Sequence, residues 1–228
     1  MISEKTFYTI IVAGGNGTRM DASIPKQFIE LNGKPILMHT IEAFSENKYQ
    51  PEIILVLAKA DEYYWKELIA SHQFTIPHHV VFGGKERFDS VKNGLACISN
   101  QNAIIAIHDA VRPLVSQKTI SNCFKQAVAN GNAIAAVPSK DSVRSLKKGL
   151  SVSLNRSEIY LIQTPQTFQY QQLLKAYEQE FSENFTDDAS VIEKAGFQVK
   201  LVDGDQFNIK ITFPEDLIIA EVLLKNSN

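Results

Sequence analysis

Cysteine is scarce in this chain, with only Cys97 and Cys123 among 228 residues. That argues against a disulfide scaffold or a cysteine-built metal site, and it suits a reducing compartment. Net charge is scarce too: 23 Lys and Arg against 25 Asp and Glu leave −2. A protein held on nucleic acid or an anionic membrane mainly by bulk charge is thereby excluded, although a local basic pocket is not. No apolar run reaches the length needed to cross a bilayer, and residues 1–6 carry no charged segment leading into a long apolar core. A cytoplasmic protein with no nucleic-acid or membrane partner is the expectation. What the chain does have is 44% hydrophobic and 21% charged residues, enough to exclude general disorder and to build one large α/β domain.

Strand-like and helix-like segments alternate through the first two thirds. Phe7–Ala13 is a β-branched and aromatic run ending at Gly14-Gly15. Helical spacing over residues 36–44 follows Pro35, suited to a helix start. Strands are expected at 53–57, 80–82, 103–107 and 133–137, with helices at 61–70, 87–98 and 116–130. The run at 103–107 is almost wholly apolar, as a strand buried on both faces requires. This alternation predicts a mostly parallel sheet covered by helices on both sides, with ligands outside the carboxyl ends of the strands.

Residues 141–156 break the pattern. Val143, Leu150, Val152 and Leu154 alternate with polar residues around Lys147-Lys148-Gly149, which reads as a β-hairpin. An isolated hairpin is marginal in water, so this one should pack on a second subunit or its own domain. Later segments read as helices at 171–181 and 186–195, the second capped by Thr186, and as short strands at 200–202 and 208–211. A last amphipathic helix opens at Pro214. One domain spanning 1–228, with an arm at about 139–158, is the expected organisation.

Three motifs that carry chemistry follow expected strands. In Ala13-Gly14-Gly15-Asn16-Gly17-Thr18-Arg19 the glycines let backbone N–H groups approach a phosphate, and Arg19 and Lys26 supply cations for a triphosphate. Neither a Walker A loop nor a dinucleotide fingerprint is present, since the third glycine position of the latter is Met20. Gly83-Gly84 with Arg87 and Ser90 suits contact with a base or ribose, or simply a tight turn. In His108-Asp109-Ala110-Val111-Arg112, Asp109 is placed to hold Mg²⁺ chelated by nucleotide phosphates, or to pair structurally with Arg112; His108 reads as packed. The remaining histidines (39, 72, 78 and 79) form no ligand pattern. Ser142, Arg156, Thr186 and Lys210 suit a phosphomonoester but are far apart in sequence.

Taken in order, AGGNGTRM…PKQF, GGKERFDSV, HDAVRP, LIQTPQTF, FTDDASVIE and FNIKITFPEDL resemble the 2-C-methyl-D-erythritol 4-phosphate cytidylyltransferases of isoprenoid biosynthesis. The resemblance covers nearly the whole chain. It implies a Rossmann-like nucleotidyltransferase fold, a mostly parallel mixed sheet flanked by helices, and a protruding hairpin that serves as a dimer arm. It implies that the substrate phosphate attacks the α-phosphorus of CTP, with Arg19 and Lys26 as transition-state cations. Ala13, Gly14, Gly15 and Gly17 match the triphosphate loop, and Gly84, Arg87 and Ser90 the cytidine side. Asp109 and Ala110 match the segment beside Mg²⁺. Ser142, Arg156, Thr186 and Lys210 match the alcohol-phosphate positions, with Arg156 carried into the neighbouring subunit's site of a homodimer. Position 142 is commonly threonine in that family, and Asn155 replaces a commoner Asp. A ribitol 5-phosphate cytidylyltransferase and a non-catalytic nucleotide-binding regulator are the competing readings.

Overall fold

A computed structural model describes residues 5–14 and 24–226. Gly15, Gly17 and Arg19 lie outside the described residues. Seven strands form the central sheet in the order β11-β7-β10-β6-β1-β4-β5. They are β1 (Phe7–Ala13), β4 (Glu52–Leu57), β5 (His79–Phe82), β6 (Ile104–Asp109), β7 (Asn132–Pro138), β10 (Tyr160–Gln169) and β11 (Leu201–Asp203). Neighbours are parallel except at β10, which runs antiparallel to both β6 and β7. Two short strands, β2 (Glu30–Leu31) and β3 (Lys34–Pro35), pair with each other.

Strand periodicity explains the layers. Side chains alternate across a sheet, so Ile11 and Leu55 point one way while Ile10 and Ile54 point the other. The first set packs with α1 (Ile36–Ser45), α2 (Glu62–Ser71) and α4 (Gln117–Asn130), through residues such as Ile41, Trp65 and Phe124. The second set packs with α3 (Arg87–Leu95), α5 (Tyr170–Ala176) and α6 (Asp188–Lys194), through Phe88, Leu173 and Ile192. A smaller cluster joins Ala220 of α7 (Pro214–Lys225) to Leu31, Val111 and Ile211. The three-layer arrangement anticipated from alternation is present. Chain order also reverses at β1: β4 and β5 lie on one side of it and β6 on the other, which makes the β1/β6 edge a topological switch point.

The arm is a separate two-stranded sheet, β8 (Arg144–Lys147) and β9 (Leu150–Ser153). Lys147 pairs with Leu150, leaving a two-residue loop in which Lys148 and Gly149 both have positive φ, 49° and 79°. That geometry matches the right-handed twist of a hairpin and is the turn expected at Lys147-Lys148-Gly149.

Several expectations need correction. Residues 208–211 form no strand; a single backbone bond ties Ile211 to Val111, and Asn208 is buried beside Arg112 instead. α5 stops at Ala176, and Tyr177 just past its end is buried with its hydroxyl donating to Asp188. α6 is capped by Asp187 rather than Thr186, the Asp187 carboxylate accepting from Ser190 N at 2.9 Å. α3 ends at Leu95, leaving Cys97 exposed beyond it, while Cys123 is buried. β10 went unanticipated as a strand. Finally, α7 is less amphipathic than expected: Ala220 is buried, whereas Ile218, Ile219 and Val222 face outward.

Candidate active site

The carboxyl ends of β1, β4, β5 and β6 open on one edge, and a cavity of about 310 Å³ lies there at the switch point. Ala13 and Gly14 form its floor, with Ala110 following β6. Lys26 enters from the short 3₁₀ turn Lys26–Phe28, which buried Gln27 anchors by donating to Ala13 O at 2.9 Å and to Asp61 at 3.3 Å. Opposite, the turn after β5 supplies Gly84, Arg87 and Ser90. Close packing explains the glycines there. A Cβ on Gly83 would come within 2.7 Å of Ser90 Oγ, and one on Gly84 would run into Asp89 Cβ. Ser90 Oγ accepts from Gly84 N at 3.2 Å and donates to Glu86 O at 3.1 Å, so the hydroxyl fastens the loop. Glu86 and Asp89 cap α3 reciprocally.

Asp109 closes the cavity at the end of β6 and is buried. Its Oδ2 lies 3.1 Å from Lys210 Nζ and 3.2 Å from Arg112 Nε, while Oδ1 lies 3.8 Å from Arg87 Nε. Burial alone would favour the neutral acid. Arg87, Lys210 and Arg112 overcome that and hold the carboxyl well below the usual carboxylate range. Both structural halves of the Asp109 expectation meet in one place: it pairs with Arg112 and it lines the cavity.

A polar ring fixes this carboxylate from behind. The Asp109 N–H donates to Thr164 Oγ1 at 3.1 Å, and that hydroxyl donates to His108 Nδ1 at 3.0 Å. His108 Nε2 then donates to Arg112 O at 3.2 Å. Burial pushes His108 down to about 3, so it is a neutral hydrogen-bond relay, packed as expected. Arg112 also donates to Asn208 O at 2.8 Å, and Asn208 donates to Thr164 O at 2.7 Å, which places Lys210 two residues on.

A second cavity of about 280 Å³ adjoins the first and shares Arg87, Asp109 and Lys210 with it. Thr186 and Asp187 line it together with Thr164 and Gln166 of β10. Gln166 donates to Asp187 at 2.9 Å and accepts from Ala189 N at 2.8 Å, holding the start of α6 over the cavity. Ser142 and Arg156 line neither cavity. Both are exposed on the arm and at its base, where Arg156 donates to Lys140 O at 2.9 Å.

The structure thus brings together Ala13, Gly14, Lys26, Gly84, Arg87, Ser90, Asp109, Ala110 and Lys210, and sets Thr186 in the adjoining cavity. Sequence reading missed Gln27, Thr164, Gln166 and Asp188. All four are polar residues inside motifs quoted above for the resemblance, but without a site role, and their burial is what marks them. Among the described residues no cluster of three or more His, Cys, Asp or Glu side chains could hold a metal. Mg²⁺ in nucleotide sites, however, needs one or two carboxylates and takes its other ligands from phosphates and water. An ionised Asp109 lining the cavity fits that requirement.

A switch-point cavity floored by Ala13 and Gly14 and bordered by Lys26, Arg87 and Lys210, joined to a second cavity through Arg87 and Lys210, is the site of a protein that handles phosphate-bearing ligands. The family model described as IspD, 2-C-methyl-D-erythritol 4-phosphate cytidylyltransferase, matches residues 7–226. A curated enzyme of that name from Azobacteroides pseudotrichonymphae is 50% identical over 221 residues, covering 96% of this chain and 99% of its own. One from Bacteroides fragilis is 47% identical over 215 residues, covering 94% and 98%. The crystal structure of 4-diphosphocytidyl-2C-methyl-D-erythritol synthase from Anaerococcus prevotii superposes with a TM-score of 0.83 at 33% identity, covering 97% of this chain and 96% of that one. The chain belongs to the 2-C-methyl-D-erythritol 4-phosphate cytidylyltransferase family. Among the described residues no helix is long and apolar enough to cross a membrane.

Proposed function

We propose that the protein joins CTP to 2-C-methyl-D-erythritol 4-phosphate, forming 4-diphosphocytidyl-2-C-methyl-D-erythritol and pyrophosphate. The observation that carries this reading is the wall shared by the two cavities: Arg87, Asp109 and Lys210 border both, so two phosphate-bearing substrates would meet there. A phosphate oxygen of the alcohol phosphate forms the new bond to the α-phosphorus of CTP, and the bond to the bridging oxygen of pyrophosphate breaks. A phosphomonoester is already ionised at neutral pH, so no general base is required. Lys26 and Arg19 stabilise charge growing on the α-phosphoryl oxygens and the leaving group. Gly14, Gly15, Gly17 and Ala13 offer backbone to the triphosphate; Gly84, Ser90 and Ala110 border the cytidine. Lys210 and Thr186 hold the alcohol phosphate. Asp109 would hold Mg²⁺, which supplies charge neutralisation on the phosphates when bound.

The same reading makes the protein a cytoplasmic homodimer in which Ser142 and Arg156 complete the alcohol-phosphate subsite of the neighbour. Support comes from their lining neither cavity of their own chain and from the apolar exposure of the arm, where Leu146 and Leu150 are each 73% exposed. The test is pyrophosphate release from CTP and Mg²⁺, with methylerythritol phosphate and ribitol 5-phosphate supplied in parallel. Much faster release with methylerythritol phosphate is expected. Preference for ribitol phosphate would overturn the substrate while leaving the chemistry standing, and no release with either would favour the non-catalytic regulator.

A further inference from the structure

Behind the wall common to the two cavities lies a buried cluster that the reaction chemistry does not use directly. Asp188 is fully buried at the start of α6 and receives three hydrogen bonds. Arg87 Nη1 donates to its Oδ1 at 2.9 Å, Arg87 Nη2 to its Oδ2 at 2.7 Å, and the Tyr177 hydroxyl to Oδ1 at 2.6 Å. Tyr177 is itself buried, and its ring stacks on Phe88, the residue after Arg87, with centroids 4.7 Å apart and an interplanar angle of 21°.

A guanidinium gripped by a carboxylate at both Nη atoms cannot swing about its own plane. Two of its five N–H donors go to Asp188, and the Nε edge faces Asp109 Oδ1 at 3.8 Å. Burial opposes the Arg87 charge, but Asp188, joined by Asp109, more than offsets it and fixes the cation. The geometry also joins the two subsites. Arg87 borders both cavities, and Asp188 immediately follows Thr186-Asp187, which border the second.

We infer that Asp188 and Tyr177 are positioning residues: they lock Arg87 in the one orientation in which a single guanidinium serves both the nucleotide and the alcohol-phosphate subsites. This rests on the reading of Arg87 as substrate-facing given above. The competing account is that the buried pair merely fastens α3 to α6. The two accounts differ in what they do to substrate affinity once the fold is intact.

The experiment compares Tyr177→Phe, Asp188→Asn, Arg87→Met and the Arg87→Met/Asp188→Asn double variant. KM for CTP and for the alcohol phosphate, kcat and the thermal midpoint are measured for each. Asp188→Asn should raise both KM values about tenfold, and Tyr177→Phe, which keeps the ring stack and loses one bond, about threefold. The double variant should be no worse in KM than Arg87→Met alone, because Asp188 acts through Arg87. Folded Asp188→Asn and Tyr177→Phe proteins with unchanged KM would overturn the inference, as would losses that multiply in the double variant. Should Asp188→Asn not fold, Tyr177→Phe decides: a raised KM in the folded variant supports positioning, and an unchanged one overturns it. Unchanged KM in Arg87→Met would show that the substrate-facing reading itself fails, and the inference with it.

Discussion

His78 has both ring nitrogens committed. The Trp65 indole N–H, which can only donate, meets His78 Nε2 at 3.1 Å, so Nδ1 carries the proton and donates to Ile76 O at 2.8 Å. Burial lowers the His78 pKa below its ordinary 6.5, the Ile76 bond opposing only in part. The unfolded chain therefore takes up the proton first as pH falls. Stability from this contact is complete above about pH 6.5 and is lost as pH drops toward the folded pKa. Trp65 is the single tryptophan, so its emission reports the contact directly. Emission should hold constant from pH 8 to 6.5 and change only below, and His78→Asn should remove the low-pH change. A transition at or above pH 6.5 would contradict the lowered pKa. At this scale the sequence offered the residue types but not the partners. Arg87 and Asp188 are 101 positions apart, and nothing in their spacing announces a bidentate pair.

Elements rather than residues explain why the turn after β5 is so closely specified. Gly84 sits where an added Cβ would collide with Asp89 Cβ and crowd the Asp89 carbonyl carbon at 3.3 Å, neither of which is the far end of a flexible chain. Gly84→Ala must therefore push the start of α3 outward and strain its reciprocal Glu86–Asp89 cap. A cost of about 1–3 kcal/mol is expected, the usual size for overpacking, with weaker CTP binding. Urea unfolding and the KM for CTP check this; a variant as stable as the parent and with its KM would show the loop to be slack. The strands that were legible carried a β-branched or apolar run, such as β6, or alternated around a turn, as in the arm. β10 was not legible, because Gln163, Thr164, Gln166 and Thr167 are polar and Pro165 interrupts them, which is not the pattern of a buried strand. The structure nonetheless buries them. A register shift between Ile162 and Gln166 accommodates the segment, and side-chain bonds from Gln163, Thr164 and Gln166 to Asp205, His108 and Asp187 offset the burial. Ile162, Gln163, Thr164 and Gln166 of the second cavity come from that strand, which is why Thr186, Arg87, Asp109 and Lys210 could be named from sequence while this part of the wall could not.

The molecule as a whole presents an apolar surface that one chain does not cover. Leu150 and Val152 share a face of the arm, and Leu154 and the exposed start of β10 at Tyr160, Leu161 and Ile162 continue the apolar exposure. A two-fold pairing would bury this patch on both copies at once and would carry each Arg156 to the other's alcohol-phosphate subsite. That arrangement has a quantitative consequence. Lys26→Ala should lose on the order of 10²–10³ in kcat, the usual size for one missing transition-state donor, and Arg156→Ala should be nearly inactive for want of its phosphate contact. In a mixed dimer one site then combines both defects, while the other draws an intact Lys26 from one subunit and an intact Arg156 from its partner. Random exchange makes half the dimers mixed, with one sound site in two, so about a quarter of full activity should return. If Arg156 served its own chain, every site would keep one defect and mixing would restore nothing. Exchange is confirmed independently by differently tagged subunits co-purifying, and silence after such exchange would remove the shared site.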